Sequence, residues 1–325
     1  MMFDRRNQIL ALVLVVQIIL GAVIFWPRST VEAGGGPLLA DFQAAGVTSL
    51  VISDTDGNRV ALAKSGESWV LPEADDYPAN GEAITTVLDK IEAIQTNRLV
   101  TQTDASHKRL QVADDDFNRL LDMRLNNDRS YQLYVGSAGG ASATHVRAAG
   151  QPEVYLTGEL TAFDVTAQTS AWVDSLYFTV PATATVKMTL ENANGTFEFE
   201  RDGDTWTMAG LGEDETLNAA NVSSLHNQVT SVRMTAPIGT EAEASFGLDD
   251  PQAVVTLETG SGETHTLRVG AQQTDDNSYI FGSSDSPYYV RVAEFTGSNL
   301  IDKTRADFLE VPPAEEGATG TGSSP

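Results

Sequence analysis

The chain contains no cysteine among its 325 residues. Disulfide bonds, thiolate nucleophiles, cysteine metal ligands and lipid attachment at a cysteine are therefore excluded. An exported domain of this composition must be stabilised by core packing alone. The hydrophobic fraction of 41% is ordinary for a globular protein, and the length is sufficient for two domains.

Basic residues are scarce as well. The chain has 20 Lys and Arg against 45 Asp and Glu, which gives a formal net charge of −25. Such a surface repels phosphate backbones and anionic lipid headgroups, so nucleic acid is excluded as a partner. A solvated acidic surface is the simplest interpretation, although the charge also attracts cationic partners and divalent cations.

Motifs of the common catalytic sites are also absent from the sequence. There is no nucleophile elbow, zinc-protease motif, P-loop or dinucleotide fingerprint. The four histidines, His107, His145, His226 and His265, show no metal-ligand spacing. The glycine-rich stretch Gly136–Gly140 precedes a strand pattern instead of a helix, which predicts a hairpin loop and not a phosphate cradle. We therefore expect no enzymatic activity, no catalytic, cofactor-binding or metal-binding residues, no cofactor, and no identifiable small-molecule ligand.

Five acidic clusters are the remaining candidates for chemistry. Paired carboxylates serve glycosidases and calcium sites. However, each cluster lies at a predicted turn, where aspartate side chains hydrogen-bond their own backbone, so a weak calcium site is only the alternative. The segment Asp54–Asn58 resembles an EF-hand loop only superficially. Its glycine comes too early for such a loop, and no glutamate stands at the twelfth position. The clusters are Asp54/Asp56, Asp75/Asp76, Asp114–Asp116, Asp249/Asp250 and Asp275/Asp276.

One long apolar run, Ile9–Trp26, contains a single glutamine and no charge. As a helix it spans about 27 Å, close to the hydrocarbon thickness of about 30 Å of a membrane. Arg5 and Arg6 precede it, which places residues 1–8 in the cytoplasm by the positive-inside rule. We therefore predict a single-pass protein of the cell membrane, anchored by this N-terminal helix, with a flexible linker at 27–37 and the remaining chain outside the cytoplasm.

Two alternatives to a membrane anchor remain open. Val31 and Ala33 could occupy the −3 and −1 positions of a signal-peptide cleavage site, although the apolar run is longer than the usual core of a signal peptide. The run could also form a buried helix of a globular core.

After the linker, the sequence passes between strand and helix patterns. Val47–Leu71 alternates with period two between turns, which predicts a three-stranded meander. Asn80 then caps a predicted helix from about Gly81 to Gln95, the connection Leu99–Val112 is predicted to be irregular, and Asn218 caps a second helix. The predicted apolar faces comprise Ile84, Val87, Leu88, Ile91 and Ile94 in the first helix and Val222, Leu225, Val229 and Val232 in the second.

The same order of patterns recurs in the second half of the chain, which indicates an internal duplication. We predict an α+β fold of two tandem modules, 38–181 and 182–311, each with antiparallel hairpins and one packed helix, followed by a disordered tail at 312–325. The equivalent Trp69 and Trp206 predict core positions and not a carbohydrate platform. The matching segments are Gly66-Glu67-Ser68-Trp69 with Gly203-Asp204-Thr205-Trp206, Leu133-Tyr134-Val135-Gly136 with Leu267-Arg268-Val269-Gly270, Val154-Tyr155-Leu156 with Tyr288-Tyr289-Val290, and Val180-Pro181 with Val311-Pro312.

Several of these features occur together in one known family. They are the N-terminal anchor, the Gly-x-x-Trp meander with its helix, Phe246-Gly247-Leu248-Asp249-Asp250-Pro251, the strand ending in Val269-Gly270, Tyr288-Tyr289-Val290 and Asp302-Lys303-Thr304-Arg305. With them the chain resembles, over nearly its whole length, the bacterial domain-of-unknown-function family 4340. The first copy departs from the family's usual Tyr-Gly-Leu before a proline, since it has only Leu110-Gln111-Val112-Ala113-Asp114-Asp115.

The resemblance implies no catalytic residues. It implies a membrane-anchored accessory protein of an ABC-type transport system of the gliding-motility or auxiliary kind, so the expected partner is an ABC transporter permease or its companion subunit. The alternative is a structural or adhesion module of the cell envelope that binds wall polymer or a surface partner, motivated by the acidic surface and Tyr288-Tyr289. A hydrolase that uses Asp249 and Asp250 is the least favoured hypothesis.

Overall fold

The first sheet is antiparallel and follows a short 3₁₀ turn at Ala44–Gly46. A computed structural model describes residues 35–140 and 142–310 of the chain. The strands of this sheet are β1 Val47–Ser53, β2 Arg59–Ser65, β3 Ser68–Leu71, β4 Tyr77–Pro78, β5 Leu99–Thr101, β6 Arg119–Leu125, β7 Ser130–Ala138, β8 Thr144–Ala148 and β9 Val154–Thr157. Their order across the sheet is β4-β3-β2-β1-β6-β7-β8-β9-β5.

The second sheet is also antiparallel. It contains β11 Thr185–Asn192, β12 Gly195–Asp202, β13 Thr205–Met208, β15 Ala236–Gly239, β16 Ala253–Thr259, β17 Thr264–Gln272, β18 Tyr279–Ser283 and β19 Ser286–Val292. Their order is β13-β12-β11-β16-β17-β18-β19-β15. Two further strands, β10 Leu176–Thr179 and β14 Ser231–Arg233, form a separate pair.

The two large sheets have the same strand order. Each strand of the second sheet has a counterpart in the first, from β13 and β3 at one end to β15 and β5 at the other. The short β4 is the one strand of the first sheet that has no counterpart in the second. With three α-helices and mostly antiparallel sheet among residues 35–140 and 142–310, the described part of the chain has an α+β fold.

The helices are α1 Gly81–Glu92, α2 Ala219–Val229 and α3 Glu294–Ile301. The predicted caps are confirmed, because the side chains of Asn80 and Asn218 accept hydrogen bonds from the backbone of Ala83 and Asn221, both at 3.1 Å. All residues of the two predicted apolar faces are buried, but two of them lie beyond the ends of their helices. Ile94 follows α1 as a fully buried residue, and Val232 belongs to β14.

The predicted extent of the first helix, to Gln95, is therefore wrong by three residues. Gln95 instead forms a β-bridge with Pro37, and the backbone N–H of Thr96 donates to the carbonyl of Gly36 at 2.9 Å. These contacts occupy the backbone that a longer helix would need. Through these contacts, Gly36 and Pro37, the last two residues of the predicted linker 27–37, are bound to the end of the helix segment.

The predicted membrane anchor Ile9–Trp26 lies outside the described residues, as do residues 1–8 and the tail 312–325. Among residues 35–140 and 142–310, no helix is long and apolar enough to cross a membrane. The anchor stays a prediction.

A single contiguous cluster of buried apolar side chains joins both sheets. The equivalent tryptophans belong to it, as predicted, with 6% of each side chain exposed. Each also carries a cation over its ring: Lys64 Nζ lies 5.5 Å from the centroid of Trp69, and the Arg201 guanidinium lies 5.7 Å from that of Trp206.

One backbone turn is repeated in both sheets and explains the Phe-Gly-Leu segment. Gly247 has a left-handed φ of 64°, and Gln111 has a φ of 56° in the equivalent turn of the first sheet. The carbonyl oxygen before each turn residue lies against a strand glycine, so a Cβ on Gly136 or Gly270 would come within 2.1 or 2.0 Å of it. The strand glycines are required for this close approach.

The Asp302–Arg305 segment fastens the end of the chain to the second sheet. The carbonyl of Lys303 accepts a hydrogen bond of 3.0 Å from the Asn192 side chain. Arg305 forms an ion pair with Glu215 and donates to the carbonyl of Gly210 at 2.6 Å. The Arg305 guanidinium, together with the backbone N–H of Gly212, lowers the pKa of Glu215 to about 2.

A joint between the two sheets is formed by residues around β4. The Asp75 carboxylate accepts hydrogen bonds from the backbone N–H and the hydroxyl of Thr240, at 2.7 and 2.9 Å. These donors lower the pKa of Asp75. The rings of Tyr77 and Tyr288 pack edge to face at 4.8 Å, and the Tyr177 hydroxyl donates to the carbonyl of Tyr288 at 2.8 Å.

Replacing Gln111 by glycine should raise the free energy of unfolding by about 1 kcal/mol, since glycine adopts the left-handed conformation without steric cost. Urea unfolding followed by circular dichroism measures the change. Gly247→Ala is the matched reverse substitution and should destabilise the protein. A loss of stability in Gln111→Gly would show that the exposed glutamine makes contacts that outweigh its backbone strain.

The ion pair of Glu215 should make stability depend on pH in the acidic range. A folded-state pKa below the ordinary 4.5 means that the pair stabilises the protein fully above that value, and that this stability is lost as pH falls toward about 2. Wild type should therefore exceed Glu215→Gln in urea midpoint at neutral pH, and the difference should vanish near pH 2. A difference that stays constant through this range would contradict the assignment.

Candidate functional site

The acidic clusters singled out in the sequence lie at turns, and all of them except Asp249/Asp250 bind neighbouring groups. The Asp54 carboxylate accepts from the backbone N–H of Asp56 and Asn58, at 3.0 and 2.9 Å. Asp275 and Asp276 both pair with Arg291, at 2.8 and 3.2 Å. Across the described ranges, no three His, Asp or Glu side chains are grouped so that they could hold a metal ion.

The histidines lie in four separate environments. His107 bonds the carbonyl of Pro152 at 2.9 Å, and His145 bonds that of Ser137 at 2.8 Å. His265 pairs with Asp285 on the neighbouring β18–β19 turn. His226 is buried against Trp206, and burial lowers its pKa. Each ring therefore has a local packing or hydrogen-bonding partner.

A buried arginine closes a small apolar cluster on the first sheet. This cluster consists of Leu110, Val112, Tyr134 and Val154. Arg147 lies over it with 3% of its surface exposed, and its guanidinium is 4.4 Å from the centroid of the Tyr134 ring. Its Nε donates to the carbonyl of Val112 at 2.6 Å, Nη1 donates to that of Gln151 at 3.3 Å, and Nη2 pairs with Asp114.

The equivalent position on the second sheet has no side chain. Tyr134 pairs with Arg147 across β7 and β8, and Arg268 pairs with Gly282 across β17 and β18. Arginine therefore stands where the first sheet has tyrosine, and glycine stands where it has arginine. The remaining equivalents of the cluster are Phe246, Leu248 and Tyr289.

This register corrects one matched pair from the sequence. The segment match made Val154 equivalent to Tyr288, whereas the strand pairing makes Val154 equivalent to Tyr289. Val146 pairs with Tyr155, and Phe281 pairs with Val290. The connection between β17 and β18 is one residue longer than its counterpart, which shifts the later strands by one position.

A cavity of about 390 Å³ opens where the arginine is missing. We call it the Arg268 pocket. The loop 242–249 forms one wall, and Arg268, Ser283 and Ser286 belong to the opposite wall on the strands. The rings of Phe246 and Tyr289, 5.3 Å apart, supply apolar surface between them. Its size is typical of sites for small ligands.

The strand wall carries hydrogen-bond donors without acceptors. Among the described residues, none accepts a hydrogen bond from the exposed Arg268 guanidinium or forms an ion pair with it. The Ser283 hydroxyl accepts from the backbone N–H of Asp285 at 3.0 Å, and the Ser286 hydroxyl accepts from that of Tyr288 at 3.2 Å. Because both hydroxyls act as acceptors inside the turn, their protons remain available to a ligand.

A protein-family model described as a domain of unknown function, DUF4340, matches residues 69–244 and residues 216–313. The chain belongs to this family. The resemblance expected from the sequence is thus confirmed. No curated protein and no solved structure matches the chain.

The pocket was not predicted from the sequence, although one of the two residue exchanges that form it was visible there. The matched segments around Tyr134 and Arg268 already showed an aromatic residue exchanged for a cation. The second exchange, of Arg147 for Gly282, lies on the next strand. It could be recognised only from the strand register. Of the candidate acidic pair Asp249/Asp250, Asp249 lines the pocket, and Asp250 does not.

The two arginines should differ sharply in their effect on stability. Arg147→Ala should cost about 2–4 kcal/mol, because it leaves two carbonyls and Asp114 without their donors and removes the cover of Tyr134. Arg268→Ala should change the free energy of unfolding by less than about 0.5 kcal/mol, since its side chain is exposed and unpaired. Urea unfolding of both variants tests this, and equal losses would contradict the assigned roles.

Proposed function

We propose that this protein is a non-enzymatic accessory protein of an ABC-type transport system, held in the cell membrane by its N-terminal helix. Its two tandem modules, 38–181 and 182–311, arose by duplication and lie outside the cytoplasm. The second module contacts the partner, a permease or its companion subunit, through the Arg268 pocket.

The observation that carries this proposal is the difference between two otherwise equivalent sites. The same strands and the same turn frame both, but Arg147 closes the first and Gly282 leaves the second open. A filled site serves stability alone. An open one with apolar walls and a few unpaired polar groups has the features of a binding site.

Two carboxylates with lowered pKa values, Asp75 in the joint and Glu215 near the second sheet, have structural roles. Asp75 and Glu215 have lowered pKa values because backbone and side-chain donors bind their carboxylates. Such carboxylates stay ionised at neutral pH, so they cannot serve as general acids there. Their arrangement stabilises the fold and the joint between the modules.

The adhesion alternative receives less support from the aromatic pair that motivated it. Tyr288 packs on Tyr77 in the joint, and its hydroxyl donates to the Asp75 carbonyl at 3.4 Å. Tyr289 packs on Phe246 in the pocket. Neither ring forms part of an open aromatic platform for a polymer.

Affinity purification of the full-length protein from native membranes tests the proposal, with mass spectrometry to identify what is recovered. Wild type should recover a permease or companion subunit of an ABC transporter. Gly282→Arg, which reproduces the closed site of the first module, should reduce recovery by about tenfold or more. Gly260→Arg is the matched control at an exposed glycine where an added Cβ would make only ordinary van der Waals contacts, and it should leave recovery unchanged.

Two results would count against this function. The first is failure to recover any transporter subunit under conditions where a known complex survives. The second is equal recovery by wild type and Gly282→Arg, provided that both have the same thermal unfolding midpoint. Co-sedimentation with purified wall polymer, absent from the Gly282→Arg variant, would favour the adhesion alternative.

A further inference from the structure

We propose that the Arg268 pocket binds a zwitterionic small molecule with an apolar body, of the class of aromatic and large aliphatic α-amino acids. This inference rests on the proposed function, which makes the pocket a binding site, and it adds a small ligand that occupies the pocket within the surface that the partner contacts. Three features of the walls lead to it.

The strand wall provides a site for a carboxylate. The Arg268 guanidinium has no partner among the described residues, and the Ser283 and Ser286 hydroxyls retain free protons. A guanidinium binds a carboxylate in a bidentate manner, and hydroxyl donors beside it add charge-assisted hydrogen bonds.

The loop wall has the opposite charge. Glu243 and Asp249 line it, both exposed, and neither forms an ion pair with any residue of the described ranges. The Ser245 hydroxyl donates to one oxygen of Glu243 at 2.9 Å, which leaves the other oxygen free. These carboxylates also lie beyond the 4.0 Å ion-pair distance from Arg268, so the charges of the two walls are separated. An ammonium group fits the loop wall.

Apolar surface lies between the charged walls. Phe246 is nearly buried, and its ring packs against Tyr289 with Leu248 beside it. A hydrophobic side chain of the ligand would cover this surface. The cavity of about 390 Å³ has room for one amino acid with its side chain.

The charge balance of the pocket favours a zwitterion over a simple anion or cation. One arginine and two carboxylates face the cavity, in a chain of net charge −25. A simple anion would be repelled by the loop wall and by the whole surface. A simple cation has no negatively charged group, so it would leave the Arg268 guanidinium unpaired. A zwitterion satisfies both walls at once.

Isothermal titration calorimetry on the full-length protein in detergent tests this with three matched probes. L-phenylalanine carries both charges, N-acetylphenylalanine lacks the ammonium group, and phenylalaninamide lacks the carboxylate. Phenylalanine should bind at least about tenfold more tightly than either analogue, because each analogue leaves one wall unpaired. Equal binding by an analogue, or no binding of phenylalanine up to about 10 mM, would overturn the proposal.

Substitutions locate the binding to this pocket. Arg268→Gln should weaken phenylalanine binding by about 10- to 100-fold, and Arg268→Lys should restore part of the loss. Arg124→Gln, at an exposed arginine of the first sheet, is the matched control and should bind as wild type does. Unchanged binding in Arg268→Gln would place the ligand elsewhere and overturn the assignment.

The outcomes separate this inference from the proposed function. Absence of phenylalanine binding together with loss of partner recovery in Gly282→Arg would refute the ligand class and leave the partner role intact. Phenylalanine binding without any transporter subunit recovered would refute the partner role and support the ligand class.

Discussion

The contact between a turn carbonyl and a strand glycine positions the connection that crosses one face of each sheet. In each sheet the carbonyl of Leu110 or Phe246 lies directly on Gly136 or Gly270, closer than any Cβ would allow. This contact brings the connection before β6 or β16 across the face of the sheet. On the first sheet the side chains it carries are sealed under Arg147. On the second the same connection forms the loop wall of the Arg268 pocket, so the pocket exists because two backbones are packed without a side chain between them.

Local patterns predicted what depends on local physics. The helix caps at Asn80 and Asn218 and the buried helix faces follow from hydrogen bonding and periodicity within a few residues, and they are confirmed. The edge strand β5 lay in a stretch predicted to be irregular, and β15 was not predicted at all. Each is three or four residues long and forms only through pairing with β9 or β19. Short edge strands of this kind depend on a distant partner, which periodicity cannot indicate.

The candidate site was beyond sequence reasoning for a related reason. Arg268 and Gly282 are separated along the chain and meet by cross-strand pairing. A single additional residue between β17 and β18 shifts every later equivalence by one position, and in a strand this exchanges the two faces. The sequence match therefore assigned Tyr288 to the place that Tyr289 occupies. Once the register is corrected, Tyr288 belongs to the joint between the two sheets, and Tyr289 belongs to the pocket.

Arg268 has no carboxylate partner among the described residues, although the chain is strongly acidic. With 45 acidic against 20 basic residues, an arginine has many possible carboxylate partners, and Arg147, Arg291 and Arg305 each pair with at least one. Arg268 has two carboxylates on the opposite wall of its own cavity and pairs with neither. Opposite charges that line one cavity without pairing gain little from each other in water because solvent screens them. They gain more from a third molecule that displaces the solvent and carries complementary charges to both.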